Sequence, residues 1–486
     1  MSEEIISGLK PEILWKRFYE ITKVPRPSKK EEKILKYFKE LFTELNIPIK
    51  QDRVGNIVAY VPATNGKEKA PVVILQGHVD MVCEKNKSTV HDFDKDALKL
   101  KLVSGWITAD GTTLGSDNGI GIAAAVAIIN DKDAVHGPIE ILLTIDEETG
   151  LTGANELNSD LIKGRILLNL DSEEDGIFYV GCAGGLDTAG CFQLKYDNVP
   201  EGYEAFELMI SGLKGGHSGS DINAGRANAI KLLARTLIEL DDVNYKLSSL
   251  NGGSKRNAIP REAEAIIFIE PAFVSQAEKL VKSVEEKFIN EFRTSDGSLK
   301  LQLRKVSSSA NQVITEKLQK KIINTLLAIP HGVIAMSQDI PDLVETSTNL
   351  ATVTLEKDIL TVGTSQRSSI ESAKDYIVKS VSSVFILADT EVESSDGYPG
   401  WKPNLNSKIL NISKRVYNKL FKSEPEIKAI HAGLECGLLG DKIEGLDMIS
   451  FGPTITGAHS PDEMVNVETV NKFYELLKGI LKEIAA

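Results

Sequence analysis

The chain has 486 residues, 42% of them hydrophobic and 26% charged, with a formal net charge of −13. Its length exceeds what one core usually supports, so two domains are expected. The acidic balance argues against nucleic acid or an anionic membrane as partner, and no apolar run approaches the roughly 20 residues that span a bilayer.

The N-terminus, MSEEIISGLKPEILWKRFYE, is acidic and amphipathic rather than basic then apolar. Four scattered cysteines, Cys83, Cys182, Cys191 and Cys436, show no CxxC spacing and read as buried thiols of a reducing compartment. A cytoplasmic protein is expected.

In PRPSKKEEKILKYFKELFTELNI, Ser28 and Glu31 have the spacing of a capping box. Ile34, Leu35, Phe38, Leu41, Phe42 and Leu45 fall on one helical face behind them. GNIVAYVPA and PVVILQGHVDM follow as strands, the second ending in His78 and Asp80. A buried strand that delivers an imidazole and a carboxylate at its end suits a metal, because the carboxylate accepts the ring N–H and fixes the tautomer.

Next, GSDNGIGIAAAVAIIND sets Asp117 in a Gly-rich approach to a buried helix, where missing side chains allow close approach of backbone or ion. A turn aspartate or helix cap is the plainer reading of Asp117. PIEILLTIDEETG ends in Glu147 and Glu148, which point in different directions, so that one can coordinate while the other reaches a water. An acidic turn is the alternative. RILLNLDSEEDG ends in Asp171, with Glu173 and Glu174 leaving the choice of donor open. Strands alternating with helices predict an α/β fold: a mixed, largely parallel sheet flanked by helices, with ligands beyond the carboxyl ends of its strands.

Segments 1–186 and 400–486 read as one catalytic domain, and 187–399 as an inserted α+β lid. In the insert, FELMISGLKGGHSG, ANAIKLLARTLIEL, SSLNGGSKRNAIPREAEAIIFIE and SQAEKLVKSVEEKFINEF form a β-α-β-β-α succession. A second begins at LKLQLRKV, continues through the helix TEKLQKKIINTLLAI, and places Asn349 at a point comparable to Asn257. An internal duplication is therefore expected. SSDGYPGWKPN supplies turns for the return, and DMISFGPTITGAHSPDE brings His459 in a loop with Gly and Pro. Two histidines and three carboxylates together suit two borderline-hard divalent ions such as Zn²⁺.

With these segments in view, the chain resembles the two-metal aminoacylase, carboxypeptidase and dipeptidase superfamily. Within it the likeness is to bacterial aminoacyl-histidine dipeptidases, the Xaa-His or carnosine-cleaving peptidase D type. The resemblance runs over nearly the whole chain, through GHVDMVCEKN, DGTTLGSDNGIG, DEETGLTGA, NLDSEEDG, GLKGGHSG, GGSKRNAIPRE, HAGLECG and GAHSPDE. It implies two Zn²⁺ per chain, with Mn²⁺ or Co²⁺ as substitutes. By the same resemblance Asp117 bridges the ions, His78 and Asp171 complete one site, and Glu148 and His459 complete the other. Asp80 would orient His78, and Glu147 would be the general base. The expected reaction is hydrolysis of dipeptides such as β-Ala-His by hydroxide formed between the ions. N-acyl-amino-acid deacylation, or carboxypeptidase or tripeptidase action, on the same metals is the alternative; a non-catalytic metal- or peptide-binding protein is a third reading.

For substrate binding, His217 is expected to donate to the developing oxyanion, worth about 3 kcal/mol if preorganised, and Asn257 to assist. Arg367 has the planar fork that clamps a terminal carboxylate, and Glu435 suits a cationic part of the substrate. The plainer readings are a turn histidine, a turn cap and an exposed arginine at a strand end. His431 lies in a Gly-rich segment with no assigned role, and His91, His136 and His331 are expected to do nothing catalytic. The molecule is a monomer or homodimer on this reading. In dimeric relatives a histidine of one subunit's small domain serves the other's site, and the duplicated insert is expected to do that within one chain.

Overall fold

Branched apolar runs form the strands of an eight-stranded mixed sheet in a computed structural model, which describes residues 2–308 and 310–486. The strand order is Ile49–Gln51, Ile57–Val61, Ile139–Thr144, Val73–His78, Ile166–Asn169, Asp447–Ser450, Ile177–Cys182 and Glu426–Ile430. The four central strands from Ile139–Thr144 to Asp447–Ser450 run parallel. Register places His78 beside Thr144, and Gln76 beside Asn169, so the carboxyl ends share one edge. Every residue of Val73–His78 and Ile139–Thr144 is buried, which explains their nearly unbroken apolar sequence.

The helix Ser116–Ala127, all buried except Asp117, packs beside the Val73–His78 strand and the helix Glu12–Thr22. Helix Glu32–Glu44 buries Ile34, Phe38, Leu41 and Phe42, while Leu35 and Leu45 stay half-buried. The expected capping box does not form. Ser28 lies too far ahead of the first turn, and its hydroxyl donates to Asp80 Oδ2 at 2.8 Å instead.

The chain divides into two compact units: residues up to Gly181 with Pro403–Ala429 and Leu434–Ala486, and Cys182–Lys402 with Ile430–Gly433. The second unit carries an antiparallel nine-stranded sheet. Strands Glu204–Ser211, Lys246–Gly252, Ala263–Ile269 and Lys300–Lys305, with helices Ala229–Glu239 and Val274–Glu291, make a β-α-β-β-α-β unit. Strands Gly184–Gln193, Val344–Glu356, Ile359–Ser368 and Glu391–Ser394, with helices Glu316–Ala328 and Glu371–Leu387, make another. Both halves have the spatial strand order fourth, first, third, second, and they meet where Gly252 faces Val353.

Two details depart from the sequence reading. Lys300–Lys305 does not open the second half; it closes the first by pairing with Glu204–Ser211, and Gly184–Gln193 opens the second. The first half is thus inserted between the first strand and first helix of the second. Alternation along a strand reports which faces are buried, not which neighbour it pairs with. Asn257 and Asn349 are also not equivalent. Asn349 lies inside a strand and donates to Ala258 O at 2.8 Å, whereas Asn257 is an exposed loop residue.

Candidate metal centre

Five donor-bearing segments of the first unit converge at the carboxyl edge of its sheet. His78 ends its strand, Asp117 sits where the chain kinks into the Ser116–Ala127 helix, and Glu147 and Glu148 form the turn after Thr144. Asp171 follows the Ile166–Asn169 strand, and His459 projects from the loop after Asp447–Ser450. His78 Nε2 lies 3.0 Å from Asp117 Oδ1 and 3.3 Å from Asp171 Oδ1. His459 Nε2 lies 3.2 Å from Asp117 Oδ2 and 2.9 Å from Glu148 Oε2. The two oxygens of Asp117 therefore face two separate donor groups, His78 with Asp171 and Glu148 with His459.

Of the acids in NLDSEEDG, Asp171 is the one that lies with His78 and Asp117. Glu174 turns away to Tyr179 and Lys428. Glu173 stays close enough to Asp117 to feel its charge, and burial together with that charge raises its carboxyl to about 7.

Asp80 backs the centre. Its Oδ1 lies 3.3 Å from His78 Nδ1, and the carboxylate also accepts from Ser28 Oγ and the backbone N–H groups of Glu147 and Glu148. Burial alone would raise its pKa, but these bonds hold it down at about 2. Asp80 thus fixes both the His78 ring and the turn that presents Glu147 and Glu148.

The donor set fits divalent cations. Glu148 Oε1 and Asp171 Oδ1 are buried without a hydrogen bond. Burial drives the carboxyls of Glu147 and Asp171 well above the usual range, since four acids crowd against two imidazoles. Hydrogen bonds to Asp117 and Glu148 push His459 up to about 11. A pair of positive ions among the carboxylates relieves the crowding of the acids and takes the place of the imidazole protons. A nearby trio of buried acids, Glu31, Asp80 and Asp146, lacks this character. Glu31 accepts from the N–H groups of Lys29 and Asp146, and Asp146 from the hydroxyls of Thr149 and Thr152, so that trio is held by protein donors.

Glu435 also belongs to the first unit. Its Oε2 accepts from Gln76 Nε2 at 2.6 Å and Thr144 Oγ1 at 2.9 Å, while Oε1 is buried without a partner, and burial raises the group to about 7.

The other expected substrate residues lie in the second unit. The Nδ1 of His217 accepts from the N–H groups of Gly219 and Ser220 at 3.2 and 3.1 Å. Burial, aided by the Arg367 charge, keeps that imidazole below its ordinary pKa. Arg367 is a buried strand residue, 7% exposed, rather than an exposed one. Its Nη1 donates to Tyr398 Oη at 2.8 Å and its Nε to Ser218 Oγ at 3.4 Å. His431 Nε2 is 2.7 Å from Ser347 Oγ, and burial lowers its pKa to about 3. Asn257 contributes its backbone carbonyl to Ser218 N, and its side chain is exposed.

Sequence reasoning missed Arg26, Asn118, Tyr398 and Glu463. Arg26 is fully buried and donates to Val79 O, Asp80 O and Gly115 O, and Asn118 donates to Leu170 O at 2.6 Å, so each ties one donor segment to another. The available signals were a lone arginine between the prolines of VPRPS, Asn118 beside Asp117, and Glu463 four residues beyond His459.

The model of peptidase family M20/M25/M40 matches residues 74–483. The cytosol non-specific dipeptidase of Escherichia coli (strain K12) is 43% identical over 487 residues, covering all of both chains. The crystal structure of aminoacylhistidine dipeptidase from Vibrio alginolyticus superposes with a TM-score of 0.91 at 42% identity, covering 99% of each chain. Aminopeptidase PepT from Bacillus cereus, 17% identical with a TM-score of 0.57 over 98% of this chain and 100% of its own, shares the fold. With two donor groups shared across Asp117 and a family model spanning most of its length, the chain belongs to the M20/M25/M40 peptidases.

Proposed function

We propose that this peptidase hydrolyses unblocked dipeptides, Xaa-His substrates such as β-Ala-His among them, in the cytoplasm, and that it works with two Zn²⁺ per chain. His78, Asp117 and Asp171 would hold one ion, and Asp117, Glu148 and His459 the other. The observation that carries this reading is the placement of Asp117, one oxygen 3.0 Å from His78 and the other 3.2 Å from His459. The names of the Escherichia coli and Vibrio relatives support the substrate class and, for the former, the compartment.

Divalent cations held there would supply Lewis acidity toward a peptide carbonyl and toward a water molecule. Glu147 is the base for that water. Its carboxylate stands with His78 and Glu148, and the proton it would take is returned to the departing amine. Asp80 keeps the His78 ring and the Glu147 turn in register.

His217 binds the developing oxyanion. Because its Nδ1 already accepts two backbone N–H groups, the neutral ring carries its proton on Nε2, where it is available to donate. Arg367 binds the terminal carboxylate: its hydrogen bonds run to neutral hydroxyls, and a buried guanidinium so placed is stabilised by an incoming anion. The unpartnered oxygen of Glu435 receives the substrate's ammonium, a group that an N-acyl amino acid lacks. Asn257, whose carbonyl accepts from Ser218 N in the second unit, assists His217.

A panel of β-Ala-His, Ala-Ala, a tripeptide and an N-acetyl amino acid tests the reading. Turnover of the two dipeptides, with the other two left intact, is expected; preferential turnover of the N-acetyl compound or the tripeptide would overturn it.

A further inference from the structure

Glu463 is absent from both donor groups, yet its carboxylate binds the segment that presents Asp117. It is 2% exposed. Its Oε2 accepts from Leu114 N at 2.7 Å and Gly115 N at 2.9 Å, and its Oε1 from Ser116 N at 2.7 Å and Ser116 Oγ at 2.6 Å, with Asp117 N at 3.4 Å. The N–H groups that open the Ser116–Ala127 helix thus aim at one anion, where the helix end favours negative charge. Arg26 closes the turn from behind by donating to Gly115 O.

Glu463 is also four residues beyond His459, in a loop that holds itself together. Ser460 N and Oγ donate to Gly457 O, and Glu463 N donates to Ser460 O at 3.1 Å. Thr108 Oγ1 anchors the far end through Glu463 O at 2.7 Å. His459 is the donor with least support of its own: its side chain is 53% exposed, and it stands in a loop at φ +63°. His78 and Asp171 instead extend from buried strands of the sheet. Asp117 has a second brace, since Asn118 donates to Leu170 O next to Asp171.

We infer that Glu463 is a positioning residue: it fixes the separation of His459 and Asp117, and so sets the affinity of the Glu148–His459 cation position. The His78–Asp171 position owes its geometry to the sheet and does not need Glu463. This inference rests on the two-cation reading above.

Glu463→Gln is the test, because whichever way the amide turns, its NH₂ opposes backbone N–H groups that need an acceptor. Metal-stripped wild type and variant are titrated with Zn²⁺ against a chromophoric chelator. The variant is expected to bind one equivalent as tightly as wild type and the other about 10- to 100-fold more weakly. Its kcat is expected to fall at limiting Zn²⁺ and recover in excess, with KM unchanged.

Equal weakening of both equivalents, or of neither, overturns the inference and leaves Glu463 a purely structural residue. A wild type that binds fewer than two equivalents overturns the two-cation reading instead. Should Glu463→Gln fail to fold, Ser116→Ala removes only the hydroxyl donor and carries the decision. It is expected to weaken the same single equivalent by several-fold, and no asymmetry there contradicts the proposal.

Discussion

Glu147 and Glu148 are adjacent in sequence, yet the structure separates their surroundings. Glu148 Oε2 lies 2.9 Å from His459 in a donor group, whereas the Glu147 carboxyl is buried among like charges with its proton affinity raised. If Glu147 is the base, Glu147→Gln should lower kcat by about 10²- to 10⁴-fold while zinc content, measured by atomic emission, stays at the wild-type value. If His217 is the oxyanion donor, His217→Ala should cost about 10²- to 10³-fold in kcat, with less effect on KM, in steady-state assays on β-Ala-His. His78, Glu147, Glu148 and Asp171 stood out because each follows an apolar run, whereas Asp117, His217 and His459 stood out by their Gly-rich surroundings. Ser28 was misread because a Ser–x–x–Glu spacing is the same whether the hydroxyl caps a helix or, as here, reaches Asp80 across 52 positions of chain. Glu463 and Arg26 escaped notice because what they bind is mostly backbone, and backbone partners leave no trace in residue type.

Individual elements show why glycine recurs around the donors. Gly115 adopts φ +65°, and a Cβ there would run into the Arg26 guanidinium and Met81. Gly121 would drive a Cβ into Leu170 O, so the buried helix can approach the Asp171 strand only without one. Gly115→Ala is therefore predicted to destabilise the first unit by about 1–3 kcal/mol, read as a lowered midpoint in urea. An unchanged midpoint would show that the turn relaxes freely. Within the second unit, helix and strand types were legible from periodicity, but the pairing of Lys300–Lys305 was not. Its partner Glu204–Ser211 is the strand that opens the same half, and the connection from Gly184–Gln193 to Glu316–Ala328 spans a complete half, which chain order conceals.

At the scale of the whole molecule, the loss of stability in acid has an identifiable contributor. His331 accepts at Nδ1 from Leu350 N and Asn228 Nδ2, and burial, with the nearby Lys231 charge, lowers its pKa to about 4. The unfolded chain, with an ordinary histidine near 6.5, binds more protons than the folded one between these values. Its contribution is thus complete above pH 6.5 and is lost as pH falls toward 4. His331→Asn keeps an acceptor near Nδ1 and removes the titration, so unfolding free energy should depend less steeply on pH in that window, by up to about 1.4 kcal/mol per pH unit. Parallel slopes for the two proteins would remove His331 from this role. The more consequential feature is the meeting of distant segments around Asp117, and one titration tests it most directly. Protein stripped by a chelator is supplied with increasing Zn²⁺ while β-Ala-His hydrolysis is followed. Two bound cations predict no turnover in the stripped protein and full turnover at two equivalents per chain; hydrolysis that survives stripping would contradict the account.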